Sequence, residues 1–180
     1  MEKVLMNTND WKLIDKARAG KNEGRDRLKN INITSNHVEA TNGRVAVRLD
    51  RAAISIKKDS GKRGPYEIIT AKKYSATFTE LTLERAEDVQ YPDINQIWPD
   101  IYGKATQEIT ISPDKVSTTS LTSAVLGLFK LTGNGYAAGY LGLISHYDRV
   151  WRAYNIGENK PVVMVSEDVQ IVIMPFKINE

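Results

Sequence analysis

The chain contains no cysteine. Disulfides, thiolate-bound zinc, iron–sulfur clusters and cysteine nucleophiles are therefore excluded by composition. Histidine is almost as scarce, with only His37 and His146, so there is little material for an imidazole metal site and no cofactor is expected. No apolar run approaches the roughly 20 residues of a membrane-spanning helix. The opening MEKVLMNTNDW has no apolar stretch of the kind that directs secretion. A soluble cytoplasmic protein with no membrane partner is the expectation, and the Asn32-Ile33-Thr34 sequon then carries no glycan. What the chain does have is 41% hydrophobic residues over a length of 180, enough to bury a core without covalent staples. Its net charge of +3 is a mild excess that permits a nucleic acid as partner, and where the cations sit decides the matter.

The apolar pattern implies short strands with helices between them. Val4 to Met6 reads as a strand, and Asn7-Thr8-Asn9-Asp10 is a cluster of good helix-capping residues. A helix is predicted over Trp11 to Ala19, with Trp11, Leu13, Ile14 and Ala17 on one side of the wheel and Lys12, Asp15, Lys16 and Ala19 on the other. Gly20 stops it, and KNEGRDR, from Lys21 to Arg27, reads as an exposed loop. Leu28 to Thr41 alternates as a strand pair about Ser35-Asn36, and Asn42-Gly43 is a second tight turn before RVAVRL, Arg44 to Leu49. A basic loop follows from Ile54 to Gly64, then strand-like pieces at Tyr66 to Ala71, Ala76 to Leu83 and Ile109 to Ile111. Ala124 to Leu131 reads as an apolar strand and the glycine-rich Gly133 to Gly142 as a flexible connector. Ser145, with Asp148 three residues on, opens a second predicted helix whose apolar side is Tyr147, Val150, Trp151 and Tyr154. The last run, VQIVIMPFKI from Val169 to Ile178, is the longest of β type, and Pro175, which has no N–H to give a ladder, marks its termination.

The pattern repeats weakly. An offset of 136 residues sets Trp11 on Tyr147, Ile14 on Val150, Lys16 on Arg152 and Ala17 on Ala153; an offset of 131 sets Val38 on Val169 and Ala40 on Ile171. Each half then reads strand, helix, strand meander. The expected fold class is α+β: one domain over 1–180, with pseudo-symmetric halves near 1–65 and 118–180, an unassigned middle at 66–117, and two helices on one face of antiparallel sheets.

This organisation, with basic helices on one face, resembles the unit of the DNA sliding clamps, and within them the bacterial β clamp. Val172-Ile173-Met174-Pro175-Phe176-Lys177-Ile178 is similar to the closing V-[VI]-M-P-[MI]-[RK]-[LI] signature of that family. Ala40-Thr41-Asn42-Gly43-Arg44 resembles its A-T-D-G-H-R turn, with Asn42 and Arg44 in place of Asp and His. Tyr91-Pro92-Asp93-Ile94, with Ile97 and Pro99, resembles its F-P-D-Y-x-x-V-x-P. The family carries three such units per chain where this chain has the length for one.

The resemblance implies a protein that is not an enzyme but a DNA-associated processivity or docking factor of replication. It would hold double-stranded DNA through phosphate attraction without reading sequence. The cations available on the two predicted helices are Lys12, Lys16, Arg149 and Arg152, for which an ordinary solvated helix face is the plainer alternative. The resemblance also implies a pocket for short peptides of polymerases and clamp loaders, walled by Thr41, Gly43, Pro92, Ile97, Val172, Met174 and Pro175; core packing is the alternative for Val172 and Met174. Two helices per chain cannot line a duplex-sized hole, so encirclement implies a homo-oligomer, about six copies for a closed ring.

Two other readings stay open. A clamp-fold interaction module or regulator would bind replication proteins without encircling DNA. A small enzyme would use the acidic strip Glu80, Glu84, Glu87 and Asp88 with the glycines at 133, 135 and 139, although no repeated βαβ pattern surrounds those glycines and no glycine-organised ligand loop accompanies the acids.

Overall fold

The computed structural model describes residues 1–20, 23–56, 63–98, 107–111, 127–128, 134–142, 144, 150–155, 157 and 159–176. The chain divides into two compact units, Met1–Asp93 and Ile94–Glu180.

The first unit begins with β1 (Glu2–Asn7) and the helix α1 (Thr8–Ala17). Asn7 caps α1, its side-chain oxygen accepting from the Asn9 N–H at 2.9 Å, which satisfies one of the donors that a helix start leaves without a partner. The meander follows as β2 (Ile31–Ile33), β3 (His37–Thr41) and β4 (Val45–Asp50), then β5 (Ile54–Ile56) and the long hairpin of β6 (Gly64–Lys73) and β7 (Phe78–Arg85). Within the unit the strands lie in the order β5-β1-β7-β6-β2-β3-β4, each pair antiparallel. The register puts one set of apolar side chains on one face: Val4 and Met6 of β1, Leu81 and Leu83 of β7, Tyr66 of β6, Ile31 and Ile33 of β2, Val38 and Ala40 of β3, Val47 and Leu49 of β4. Against them α1 buries Leu13, Ile14 and Ala17, packing on β1, β3, β4 and β7. At about 1.5–3 kcal/mol for each large side chain, this layer is the main stabilisation of the unit.

The second unit contains β8 (Gln107–Ile111), the short helix α2 (Ala138–Leu141), β9 (Trp151–Asn155), β10 (Val162–Ser166) and β11 (Val169–Ile173). Its strands are antiparallel in the order β11-β10-β9-β8. Consecutive residues of β10 and β11 are buried, Val162, Val163 and Met164 facing Ile171, Val172 and Ile173, so both faces of this hairpin are covered. β11 ends two residues before Pro175, as a residue that cannot donate to the ladder requires. Beyond it the Phe176 N–H still reaches the Gly135 carbonyl at 3.0 Å.

The α+β clamp-like class of antiparallel strands with few helices agrees with this architecture, and four local expectations are corrected. The second helix does not extend over Trp151 to Tyr154: these residues form β9, with Trp151 and Ala153 buried and Arg152 exposed. The aromatic residues there satisfy both a period of 3.6 and a period of 2, and pairing with β8 and β10 decides for the strand. Ser145 to Arg149 lie outside the described residues. Conversely, the expected strand at Ala124 to Leu131 is helical where it is described, at Gly127 and Leu128. In the Gly133 to Gly142 stretch, Asn134, Tyr136 and Leu141 are buried and the Tyr136 hydroxyl donates to the Lys160 carbonyl at 3.4 Å, which makes it a packed segment rather than a free connector. Finally, Ile54 to Ile56, placed by pattern in a loop, pair with β1 as β5.

The strand–helix–meander order therefore holds in both units among the described residues, with the second helix earlier than the 136-residue offset puts it. By that order β11, the third meander strand, is the counterpart of β4, and not of β3 as the 131-residue offset suggests.

Candidate functional site

Helix α1 presents a cationic stripe. Residues Thr8, Lys12 and Lys16 recur every four positions and share one side of the helix. Both lysines are exposed. The only acid on the solvent side between them, Asp15, is taken by Arg18, whose Nη2 lies 2.6 Å and Nε 2.8 Å from its carboxylate. Arg18 is itself fixed by donating to the Lys29 carbonyl at 3.1 Å and by lying over the Trp11 ring at 5.6 Å. With Asp15 neutralised, the field of the stripe is positive, and Lys16 in the last turn also suits the helix dipole.

The β3–β4 turn is the second organised feature. Asn42 makes it: its side-chain oxygen accepts from the Arg44 N–H at 2.9 Å and the Val45 N–H at 3.1 Å. The buried Thr41 hydroxyl donates to the Val45 carbonyl at 2.8 Å and accepts from the Gly43 N–H at 3.0 Å. Gly43 takes φ +84°, a left-handed conformation that favours glycine. From the loop after α1, Arg25 reaches over and donates from Nη1 to the Asn42 carbonyl at 2.6 Å. An open depression there is lined by Gly24, Arg25, Asp26, Arg27, Leu28 and Gly43.

Beside the turn lies a buried polar network on the sheet face opposite α1. Glu39 of β3 and Arg48 of β4 sit directly opposite in register. Both Nε and Nη2 of Arg48 lie about 3 Å from Glu39 Oε1 (3.0 and 2.9 Å), and Asn32 donates to Oε2 at 2.9 Å. The pair's side chains are only 10% and 4% exposed, so the ion pair forms in a largely desolvated setting. Tyr91 lies close to this network: burial, and then the Glu39 charge, push its phenol above the ordinary range, with the Thr41 backbone partly offsetting them. At the rim, burial first and Arg48 second lower the His37 imidazole pKa from its usual 6.5, against opposing contributions from Glu39 and Asp50.

The residues proposed from sequence are placed as follows. Lys12 and Lys16 share the α1 stripe; Arg152 is exposed but on a strand, and Arg149 lies outside the described residues. In the first unit Thr41 and Gly43 share the β3–β4 turn, with the Gly43 N–H donating to the Thr41 hydroxyl at 3.0 Å, and Pro92 follows Tyr91, whose phenol the Thr41 backbone influences. In the second unit Ile97 ends a 3-10 turn (Ile94–Ile97) and is 37% exposed. Val172 is fully buried opposite Val163, Met174 is 39% exposed, and Pro175 is partly exposed. Of the acidic strip, Glu80 pairs with Lys3 at 3.2 Å and Glu84, Glu87 and Asp88 are exposed. Among the described residues no group of three or more acids and histidines is placed to hold a metal ion.

Sequence reading missed two features. Arg25 looked like one charge of an exposed loop, and nothing in its spacing announces the Asn42 carbonyl. The Glu39–Arg48 pair was accessible: once Asn42-Gly43 is a turn, residues 39 and 48 face each other in the hairpin.

No family model and no curated protein sequence matches the chain. Solved structures do. The β subunit of DNA polymerase III from Thermotoga maritima superposes with a TM-score of 0.61 at 8% identity, covering 99% of this chain and 66% of that one. The same subunit from Borrelia burgdorferi gives 0.62 at 10% identity, over 99% and 65%. The β clamp of Helicobacter pylori, solved with a DNA ligase peptide, gives 0.57 at 9% identity, over 99% and 67%. The chain thus spans about two thirds of the length of these proteins, and at such identities the likeness concerns the fold. No helix among the described residues is long and apolar enough to cross a membrane. By its element order and these superpositions, the chain has the fold of the DNA sliding clamps.

Proposed function

We propose that the protein is a non-catalytic, DNA-associated clamp-like factor that holds duplex DNA without reading its sequence and serves replication as a processivity or docking element. The observation that carries this is the α1 stripe, Lys12 and Lys16 exposed with Asp15 held by Arg18, on a chain with the sliding-clamp fold. Phosphate attraction needs only such cations and tolerates any sequence. Arg149 and Arg152 are proposed to add to the same attraction. The proposal includes a cytoplasmic location and a homo-oligomeric assembly.

The second part of the proposal is peptide capture. Two sets of residues are proposed to contact short segments of polymerases or clamp loaders: Thr41, Gly43 and Pro92 in the first unit, and Ile97, Met174 and Pro175 in the second, while the fully buried Val172 fits the core-packing alternative. It is supported by the exposure of Ile97 and Met174, and by the ligase peptide named for the Helicobacter pylori clamp.

The test is a fluorescence titration of labelled duplex DNA at several salt concentrations. Wild type is expected to bind with a log–log salt slope close to 0.9 per phosphate contacted, and the Lys12→Ala/Lys16→Ala variant to lose up to about two contacts from it. An unchanged slope and affinity in the variant means that α1 is not the DNA face. Peptide binding without salt-sensitive DNA binding identifies instead an interaction module that does not encircle DNA.

A further inference from the structure

Asparagine followed by glycine is the step of a protein chain most open to a reaction with itself, because a residue without a side chain lets its main-chain nitrogen approach the asparagine carboxamide. The chain has two such steps, Asn42–Gly43 in the β3–β4 turn and Asn134–Gly135. In the first, both reacting groups have partners. The nitrogen that would attack, Gly43 N, donates its hydrogen to the Thr41 hydroxyl at 3.0 Å. The carbonyl of the same peptide plane, that of Asn42, accepts from Arg25 Nη1 at 2.6 Å, so the plane is held at both ends. The carboxamide that would be attacked is held as well, its Oδ1 accepting from the Arg44 N–H at 2.9 Å and the Val45 N–H at 3.1 Å. Thr41 is fixed in turn, 3% exposed with its hydroxyl donating to the Val45 carbonyl at 2.8 Å. Asn42 itself is 6% exposed, so water reaches it poorly.

We infer that Asn42 is a latent deamidation site, which the folded turn protects and which opening of the turn releases. In the reaction Gly43 N gives up its proton and bonds to Asn42 Cγ; the Cγ–Nδ2 bond breaks, ammonia leaves, and a five-membered imide closes. Water then adds to the imide. Opening at Cγ leaves aspartate, whereas opening at the main-chain carbonyl leaves isoaspartate, whose chain runs through the side-chain carbons. The imide nitrogen carries no hydrogen, so closure gives up the bond to Thr41, and any turn of the peptide plane toward Cγ works against the Arg25 contact. In an unfolded chain neither restraint operates. The two products differ in consequence. Aspartate keeps an acceptor for the Arg44 and Val45 N–H groups. Isoaspartate adds a carbon to the main chain between two paired strands, where Thr41 faces Ala46 and Ala40 faces Val47, and that register has no place for it. The chemistry belongs to the turn alone and holds whether or not the protein binds DNA or peptides.

The test is peptide mapping of the full-length protein after incubation in mildly alkaline buffer, with urea-unfolded wild type run in parallel. Trypsin releases residues 30–44 as one peptide, in which Asn30, Asn32 and Asn36, each followed by a residue with a bulky side chain, are internal controls for Asn42. Mass spectrometry reads the change from amide to acid at Asn42, and fragmentation separates aspartate from isoaspartate. Wild type is expected to convert at least about tenfold more slowly folded than unfolded. Thr41→Val removes the acceptor of the Gly43 N–H, and Arg25→Ala removes the hold on the carbonyl. Each is expected to speed conversion in the folded protein about fivefold, the rate equivalent of one ordinary hydrogen bond. Thermal unfolding checks that the variants are folded during incubation, and because Arg25 is exposed, its variant decides the matter if Thr41→Val does not fold. A folded wild-type rate equal to or above the unfolded one overturns the inference, as does an unchanged rate in every variant that folds. The isoaspartate form, separated by ion exchange, is expected to melt below Asn42→Asp; equal midpoints overturn the damage to the register.

Discussion

Glu39 and Arg48 show how much a single pair of residues constrains this fold. Both charges are nearly out of water, and at such a position breaking the pair from one side costs more than replacing both of its members. Glu39→Gln is therefore expected to destabilise the protein by roughly 3–5 kcal/mol, while replacing both residues with apolar ones of similar size costs far less. Urea unfolding of the two variants checks this, and equal losses in both contradict it. His37, close by, gives a pH signature. Its folded pKa lies below the ordinary 6.5 because burial and Arg48 disfavour the imidazolium, so the unfolded chain binds more protons between those two values. The contribution is fully present above about pH 6.5 and declines as pH falls through that window. The difference in unfolding midpoint between wild type and His37→Gln should shrink from pH 7.5 toward pH 5.5. A constant difference would show that His37 does not titrate differently in the folded state.

At the scale of elements, the β3–β4 turn and α1 were legible because each is specified by local chemistry. Asn7 at a helix start and Asn42-Gly43 between alternating runs act on their own neighbours, within three residues. The turn's dependence on glycine predicts that Gly43→Ala loses about 1–2 kcal/mol, the cost of forcing a side chain into the left-handed region, with Arg25 Nη1 displaced as well. Thermal unfolding measures the first effect; an unchanged midpoint contradicts it. The strand at Trp151 to Asn155 was not legible in the same way. Its letters fit a helix wheel and an alternating strand alike, and only pairing on both sides, with β8 and β10, selects the strand. For the same reason the residue match between repeats misled about position, although the strand–helix–meander order it suggested is present in both units.

At the scale of the whole molecule, the clamp reading makes a demand on association. Helices α1 and α2 lie among the described residues of a chain that spans about two thirds of the β subunits it superposes on, and an encircling function is proposed to need several copies in a closed arrangement. Light scattering across a concentration series is expected to show a discrete oligomer larger than a dimer. A strict monomer at high concentration removes encirclement and leaves a DNA-docking or peptide-binding module.

The amino-acid sequence by itself determined α1 and the β3–β4 turn of the first unit, the termination of β11 before Pro175, and the family likeness carried by the ATNGR turn and the closing VIMPFK. These depend on side chains acting over a few residues or on a motif read as letters. Tertiary structure decided what rests on distant partners: β9 as a strand, β11 as the counterpart of β4, the burial of Glu39 with Arg48, and the reach of Arg25 to Asn42 across 17 positions of chain. Spacing along the sequence does not specify which groups meet across a sheet or a loop, because register and loop closure settle that only when the chain has packed.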